Sequence, residues 1–187
     1  MNIGHCGRSP GERLTRAPMI GAALVAAAIL FPVDAGAHAV LDSRTAVAGG
    51  YQKLSVRIGH GCKASPTVEI ELQLPEGVVG AKPQPKPGWQ VSVVREPLAA
   101  PFRDGHGTMV TERVGRIVWT GGRLEDWQFD EFAFHVRLPN RPGDSLAFPV
   151  IQRCSEGEHR WIEEPAPGQQ RERLREPAPV LLLLPRS

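Results

Sequence analysis

The sequence has no excess of charge of either sign: 22 Lys and Arg stand against 20 Asp and Glu. That balance excludes the electrostatic footprint of a nucleic-acid partner or an anionic membrane surface. It also lacks the run of about 20 apolar residues that a membrane-spanning helix needs. Met19–Phe31 and Leu181–Leu184 are apolar but fall short of it. Beyond residue 37 there is no Gly-x-Ser-x-Gly elbow, phosphate-binding loop, dinucleotide fingerprint or His-Glu-x-x-His helix, so no enzyme is expected. The paired carboxylates Asp130-Glu131 and Glu163-Glu164 are chain neighbours, which in a strand point to opposite faces and do not share one substrate. Amphipathic helical runs of useful length and internal repeats are missing too, while 18 Pro and 20 Gly punctuate the chain. A strand-and-turn protein follows.

What is present begins with a leader. Arg8, Arg13 and Arg16 precede the apolar run, and Ala35-Gly36-Ala37 follows it, the three zones of a secretory signal. Cleavage after Ala37 divides the chain into a signal peptide, 1–37, and one mature domain, 38–187, with His38 as its free N-terminus. About 150 residues remain, enough to bury a core without metal or oligomerisation. The expected location is periplasmic or secreted, with no membrane span after cleavage. Cys6 leaves with the leader, and Cys62 and Cys154 then form an even pair in an oxidising compartment, for which a structural disulfide is the default. Neither lies in a Cys-x-x-Cys setting, which disfavours the functional alternative of two soft copper ligands or a redox pair.

From Tyr51 onward short alternating runs recur between Gly and Pro: Leu54, Val56 and Ile58; Val68, Ile70, Leu72 and Leu74; Trp89, Val91 and Val93. Gly115–Thr120, Gln128–Leu138, Leu146–Gln152, Glu158–Glu163 and Pro179–Leu184 continue the pattern. The fold class is all-β, and an antiparallel β-sandwich lets two sheets bury one face each. Lys82–Gly88, with its alternating prolines, reads as a stiff connector that delivers Trp89. Glu164–Glu176 reads as a solvated segment.

A free N-terminal histidine offers the α-amine and ring Nδ1 of one residue as a chelate. Imidazole and amine nitrogens with a carboxylate suit Cu(II), the strongest binder of the divalent series. In Gln128–Leu138, Phe132, Phe134, Val136 and Leu138 share one face, leaving Glu131 on the other. Trp161 shares a face with His159 and Glu163 and needs both a neighbour for its ring and a partner for its N–H. His60, in Gly59-His60-Gly61-Cys62, reads as a turn residue with a packing or solvent role. His106 near Met109 is a poor soft-metal pair, because Met109 is the sole Met beyond the leader.

These residues resemble the YcnI-like domain of secreted bacterial copper-binding proteins, once grouped as a domain of unknown function. The resemblance runs from His38 to Leu184. It rests on His38 after the signal, Ala48-Gly49-Gly50-Tyr51, Gly61-Cys62-Lys63-Ala64-Ser65-Pro66-Thr67, Leu74-Pro75-Glu76-Gly77-Val78, Pro87-Gly88-Trp89, Val118-Trp119, Phe129-Asp130-Glu131-Phe132, Phe148-Pro149-Val150, Gly157-Glu158-His159-Arg160-Trp161 and Pro177-Ala178-Pro179-Val180. It implies a cupredoxin-like or immunoglobulin-like sandwich and a single-histidine brace, with the amine and ring of His38, a carboxylate and a nearby Trp. Carried over by motif, the Trp is Trp161, and the carboxylate is Glu131, with Glu163 as the alternative. His38-Ala39-Val40-Leu41-Asp42 departs from the family's usual His-Val-x-Val start, which puts the placement of the first strand in question.

Three functional readings follow. The first is an exported protein that holds one Cu(II) at His38 and carries, buffers or delivers copper to a transporter or cuproprotein. The second is a metal-free adhesion or assembly module using Trp89 and Trp127. The third, a copper oxidase, is disfavoured because that chemistry pairs two histidines at one copper and the sequence places no second one clearly.

Overall fold

The computed structural model describes Met1 and residues 38–186; the expected signal peptide and the expected cleavage after Ala37 otherwise fall outside the described residues. Twelve strands and one 3-10 turn make up the described elements: β1 Val40–Leu41, β2 Thr45–Val47, β3 Tyr51–Ile58, β4 Thr67–Gln73, β5 Val79–Pro83, β6 Gln90–Arg103, β7 Met109–Leu124, β8 Asp130–Arg137, β9 Ser145–Ala147, β10 Val150–Cys154, β11 Glu158–Trp161, the turn Arg171–Arg173 and β12 Val180–Leu184. The all-β sandwich anticipated from alternation is present. Its sheets have the orders β1-β3-β8-β5, β11-β10-β4-β7-β6 and β2-β12-β9.

Period-two alternation explains the core. In β8, Phe132, Phe134 and Val136 are buried while Glu131, His135 and Arg137 are exposed. Leu54, Val56 and Ile58 of β3 join them, and Ile70 and Leu72 of β4 with Ile117 and Trp119 of β7 close the core from the five-stranded sheet. Trp119 meets Phe132 edge-on across the two layers, with ring centres 5.5 Å apart.

Several boundaries differ from the sequence reading, each for a local reason. Phe148-Pro149 splits Leu146–Gln152 in two: β9 pairs with β12, and β10 pairs with β4 and β11. Lys82 and Pro83 of the expected connector belong to β5, an edge strand, where a missing N–H is tolerated. The chain beyond β11 is mostly exposed, as expected of Glu164–Glu176, yet Glu176 is tied back to β11. Among the described residues the named strands pair antiparallel except where β12 runs parallel to β2, and an isolated parallel bridge joins Glu163 to Pro177.

Candidate functional site

Each end of β3 leads to a different surface. Past its first residue, Tyr51, lies a cleft of about 760 Å³, lined in part by Gly49, Phe102, Arg113 and Arg141. Two of its three arginines, Arg113 and Arg141, are already engaged. Arg113 donates to the carbonyls of Leu74 and Pro75 and pairs with Glu96, and Arg141 pairs with Asp144 at 3.1 Å. The chemistry-bearing side chains lie past the other end, around Trp161.

Trp161 ends β11 and is 4 % exposed. Its ring stacks on that of His159 at 4.8 Å and meets His38 edge-on at 5.5 Å, while His60 stands edge-on to it at 6.4 Å. His60 and His159 are 5.5 Å apart, ring centre to ring centre, at an interplanar angle of 89°. The His38–Trp161 proximity implied by the family resemblance is therefore present. The reading of His60 as a packing or solvent residue changes: it is one of three histidines gathered on a single tryptophan.

This gathering is held by a buried side-chain amide and a disulfide. Gln152 of β10 is 1 % exposed. Its Oε1 accepts the Trp161 Nε1–H at 3.0 Å, and its Nε2 donates to the His60 carbonyl at 2.6 Å and to Thr67 Oγ1 at 2.8 Å. One buried amide thus ties the end of β3, the start of β4 and β11 together, and it is the partner that the Trp161 N–H requires. The disulfide Cys62–Cys154, expected from the cysteine count, adds a covalent clamp two residues from His60, with Cα atoms 5.9 Å apart. Between Cys62 and Ser65 the chain turns through Lys63 (φ 52°) and Ala64 (φ 69°), and Cys62 and Ser65 exchange backbone hydrogen bonds of 2.9 and 3.1 Å. Two consecutive left-handed residues make this a type I′ hairpin turn built without its usual Asn-Gly.

The carboxylates fall in different places. Val40, Arg57 and Glu131 form one cross-strand row over β1, β3 and β8. Glu131 is thus two strand spacings, about 10 Å, from β1, with Arg57 between. Its side chain is exposed, and its carbonyl accepts from Lys86 Nζ. Glu163 Oε2 accepts the backbone N–H groups of Arg175 and Glu176 at 2.9 and 3.0 Å, a role that ties down the following segment. Two other carboxylates, missed in the sequence, lie nearer the histidines. Glu172 lines a cleft of about 430 Å³ with His38, Val40 and Arg57, and Glu176 Oε1 lies 2.7 Å from His159 Nδ1. Burial works to raise the Glu176 carboxyl, but the hydrogen bonds from His159 and the Arg160 N–H prevail and hold it below its ordinary value. Among the described residues, no three His, Cys, Asp or Glu side chains converge as a ready-made metal cage.

Of the other residues weighed, His106 lies in the turn between β6 and β7, where Asp104 Oδ1 accepts its N–H and that of Thr108. Trp89 is partly buried and packs edge-on to Phe132 at 5.0 Å, whereas Trp127 is 81 % exposed. Among the described residues no helix is long and apolar enough to cross a membrane.

A crystal structure of an uncharacterized protein from Nocardia farcinica, described as having an immunoglobulin-like fold, is similar to this chain. It is 26% identical, with a TM-score of 0.59, and the match covers 79% of this chain and 98% of the other. A putative membrane anchored protein from Corynebacterium diphtheriae matches over 78% of this chain and 35% of its own, at 8% identity and a TM-score of 0.40. No curated protein gives a significant match. The description "Domain of unknown function (DUF1775)" matches residues 38–183, and the chain belongs to that family, the YcnI-like domain family.

Proposed function

We propose that the protein is exported and holds one Cu(II) at the N-terminus created by cleavage after Ala37, carrying, buffering or delivering copper rather than acting as a catalyst. The observation that carries this reading is His38 packed against Trp161 beside a cleft. The donor set fits copper only if processing supplies what the side chains do not. No three-ligand side-chain cage stands ready among the described residues, and the amine released at His38 adds a nitrogen on the residue that already offers a ring. Trp161 walls the site and limits water on one side. Glu131 is the proposed carboxylate, and it meets a metal at His38 only if both side chains lean along the row past Arg57. Glu172, in the same cleft as His38, is the natural comparison.

The test uses three proteins titrated with Cu(II): the processed chain starting at His38, its His38→Ala variant, and a chain with one extra alanine before His38. The extra residue keeps the imidazole and removes the amine from its chelating position. The proposal requires the tight equivalent to be lost in both altered proteins, and equal affinity and stoichiometry in all three would overturn it. A Glu131→Gln and Glu172→Gln pair identifies the carboxylate by which one weakens binding. The assembly-module reading retains one supporting observation, the exposure of Trp127 and Phe129 at 81 % and 69 %. It predicts that Trp127→Ala weakens partner capture while His38→Ala does not.

A further inference from the structure

His60 and His159 are 99 positions apart in the chain, yet each has one ring nitrogen committed in the same way. His60 Nδ1 contacts the Gly61 carbonyl, and His159 Nδ1 lies 2.7 Å from Glu176 Oε1. A carbonyl oxygen accepts only, and an ionised carboxylate does the same, so both Nδ1 atoms carry the proton and donate it. In the neutral imidazoles the lone pair is then on Nε2. A carbonyl or carboxylate holding the far N–H is the arrangement that orients metal-ligating histidines and raises their basicity.

The spacing is right for two rings on one ion. A metal–nitrogen bond of about 2.0 Å places each ring centre roughly 3 Å from the metal, so two rings sharing an ion have centres roughly 4.5–6.5 Å apart across the usual bond angles. The observed 5.5 Å lies inside that range. The pair is also rigidly mounted. The Gln152 amide fixes the His60 main chain, the disulfide joins the two hairpins, Glu176 holds the His159 ring, and Trp161 stacks on its face.

We infer that His60 and His159 form a second transition-metal site, separate from the N-terminal amine, which binds a divalent ion of the borderline class, Cu(II) foremost, through two Nε2 atoms with water completing the coordination. The site does not depend on cleavage after Ala37, because neither ligand is created by it. It goes beyond the single-copper reading, and the two fail separately.

The experiment is a Cu(II) titration of the processed protein, His38→Ala, His60→Ala and His159→Asn, following stoichiometry by electron paramagnetic resonance, with circular dichroism to confirm folding. The expected result is two equivalents in the parent and one in each variant, the equivalent kept by His38→Ala having a spectrum different from that kept by His159→Asn. Two equivalents persisting in His60→Ala and His159→Asn would overturn the inference. So would a single equivalent that His38→Ala abolishes. Nitrogen-resolved NMR of the unaltered protein during Zn(II) addition needs no variant. The Nε2 resonances of His60 and His159 should shift together while their Nδ1 resonances stay protonated, and unmoved Nε2 resonances would refute the site even if a variant fails to fold.

Discussion

Replacing Cys62 and Cys154 together by alanine removes the covalent clamp beside the histidines, and its effect can be worked from the loop it closes. The bridge spans a sequence separation of 92 residues. On the loop-closure account, constraining a denatured chain over that length stabilises the fold by about 4.6 kcal/mol, and measured bridges of this kind more often contribute 2–4 kcal/mol. Both cysteines are nearly buried, at 6% and 9% exposure, so two small voids add slightly to the loss. For a domain of this size each kcal/mol moves the midpoint by about 2–4 °C, which gives a fall in Tm of roughly 4–18 °C. The assay is thermal and urea unfolding of the parent and the double variant under non-reducing conditions. The urea slope should rise in the variant, because the denatured chain is freed to expand. A Tm change under about 2 °C with an unchanged slope would refute the reasoning. The same variant should lose Cu(II) at the His60–His159 pair before it loses it at His38, since the clamp joins the hairpins that carry that pair.

Gln152→Leu leaves the buried Trp161 N–H and the His60 carbonyl without their amide partner, and should destabilise by about 2–4 kcal/mol in urea unfolding. Ala64→Gly relieves a left-handed alanine at φ 69° and should stabilise by about 1 kcal/mol, seen as a rise in Tm of about 2–4 °C. Glu71 accepts from Arg116 at 3.0 Å and from Arg153 at 3.1 Å; burial raises its carboxyl, but these hydrogen bonds and the charges prevail and hold it below its ordinary value. A depressed folded value means stability that is complete above the ordinary carboxylate range and lost as pH falls through the depressed value. With half-exposed arginine partners, Glu71→Gln should therefore cost only about 1 kcal/mol at neutral pH and nothing in strong acid, as measured by unfolding across that range.

Alternation made the sandwich legible wherever one face is buried and the other wet. In β8 the reading that put Phe132, Phe134 and Val136 inside and Glu131 outside holds residue by residue. It failed for the outer part of the β6–β7 hairpin, where Pro97–Arg103 and Met109–Glu112 have no buried residue and so no alternation to detect. It also ran Leu146–Gln152 together, although Pro149 within it was a warning. The histidine cluster escaped because parity describes one strand at a time, whereas His60 and His159 come from different hairpins. A signal was nevertheless present. His60 stands two positions before Cys62 and His159 five after Cys154, so a bridge between those cysteines brings the imidazoles near each other. The fixing of Nδ1 by Glu176 had no counterpart in the sequence, because the segment that delivers it was read as solvated.

The parallel pairing of β12 with β2 sets an order of events. Leu181 and Leu183 are core residues, and Leu182, Leu183 and Leu184 take their register from Thr45, Ala46 and Val47, almost the whole domain earlier. A chain emerging amino-end first can form the β6–β7 and β10–β11 hairpins as they appear, but it cannot seal the core until β12 arrives beside β2. Until then Leu181 and Leu183 are missing from the core, so the domain closes only in the compartment that receives its last strand.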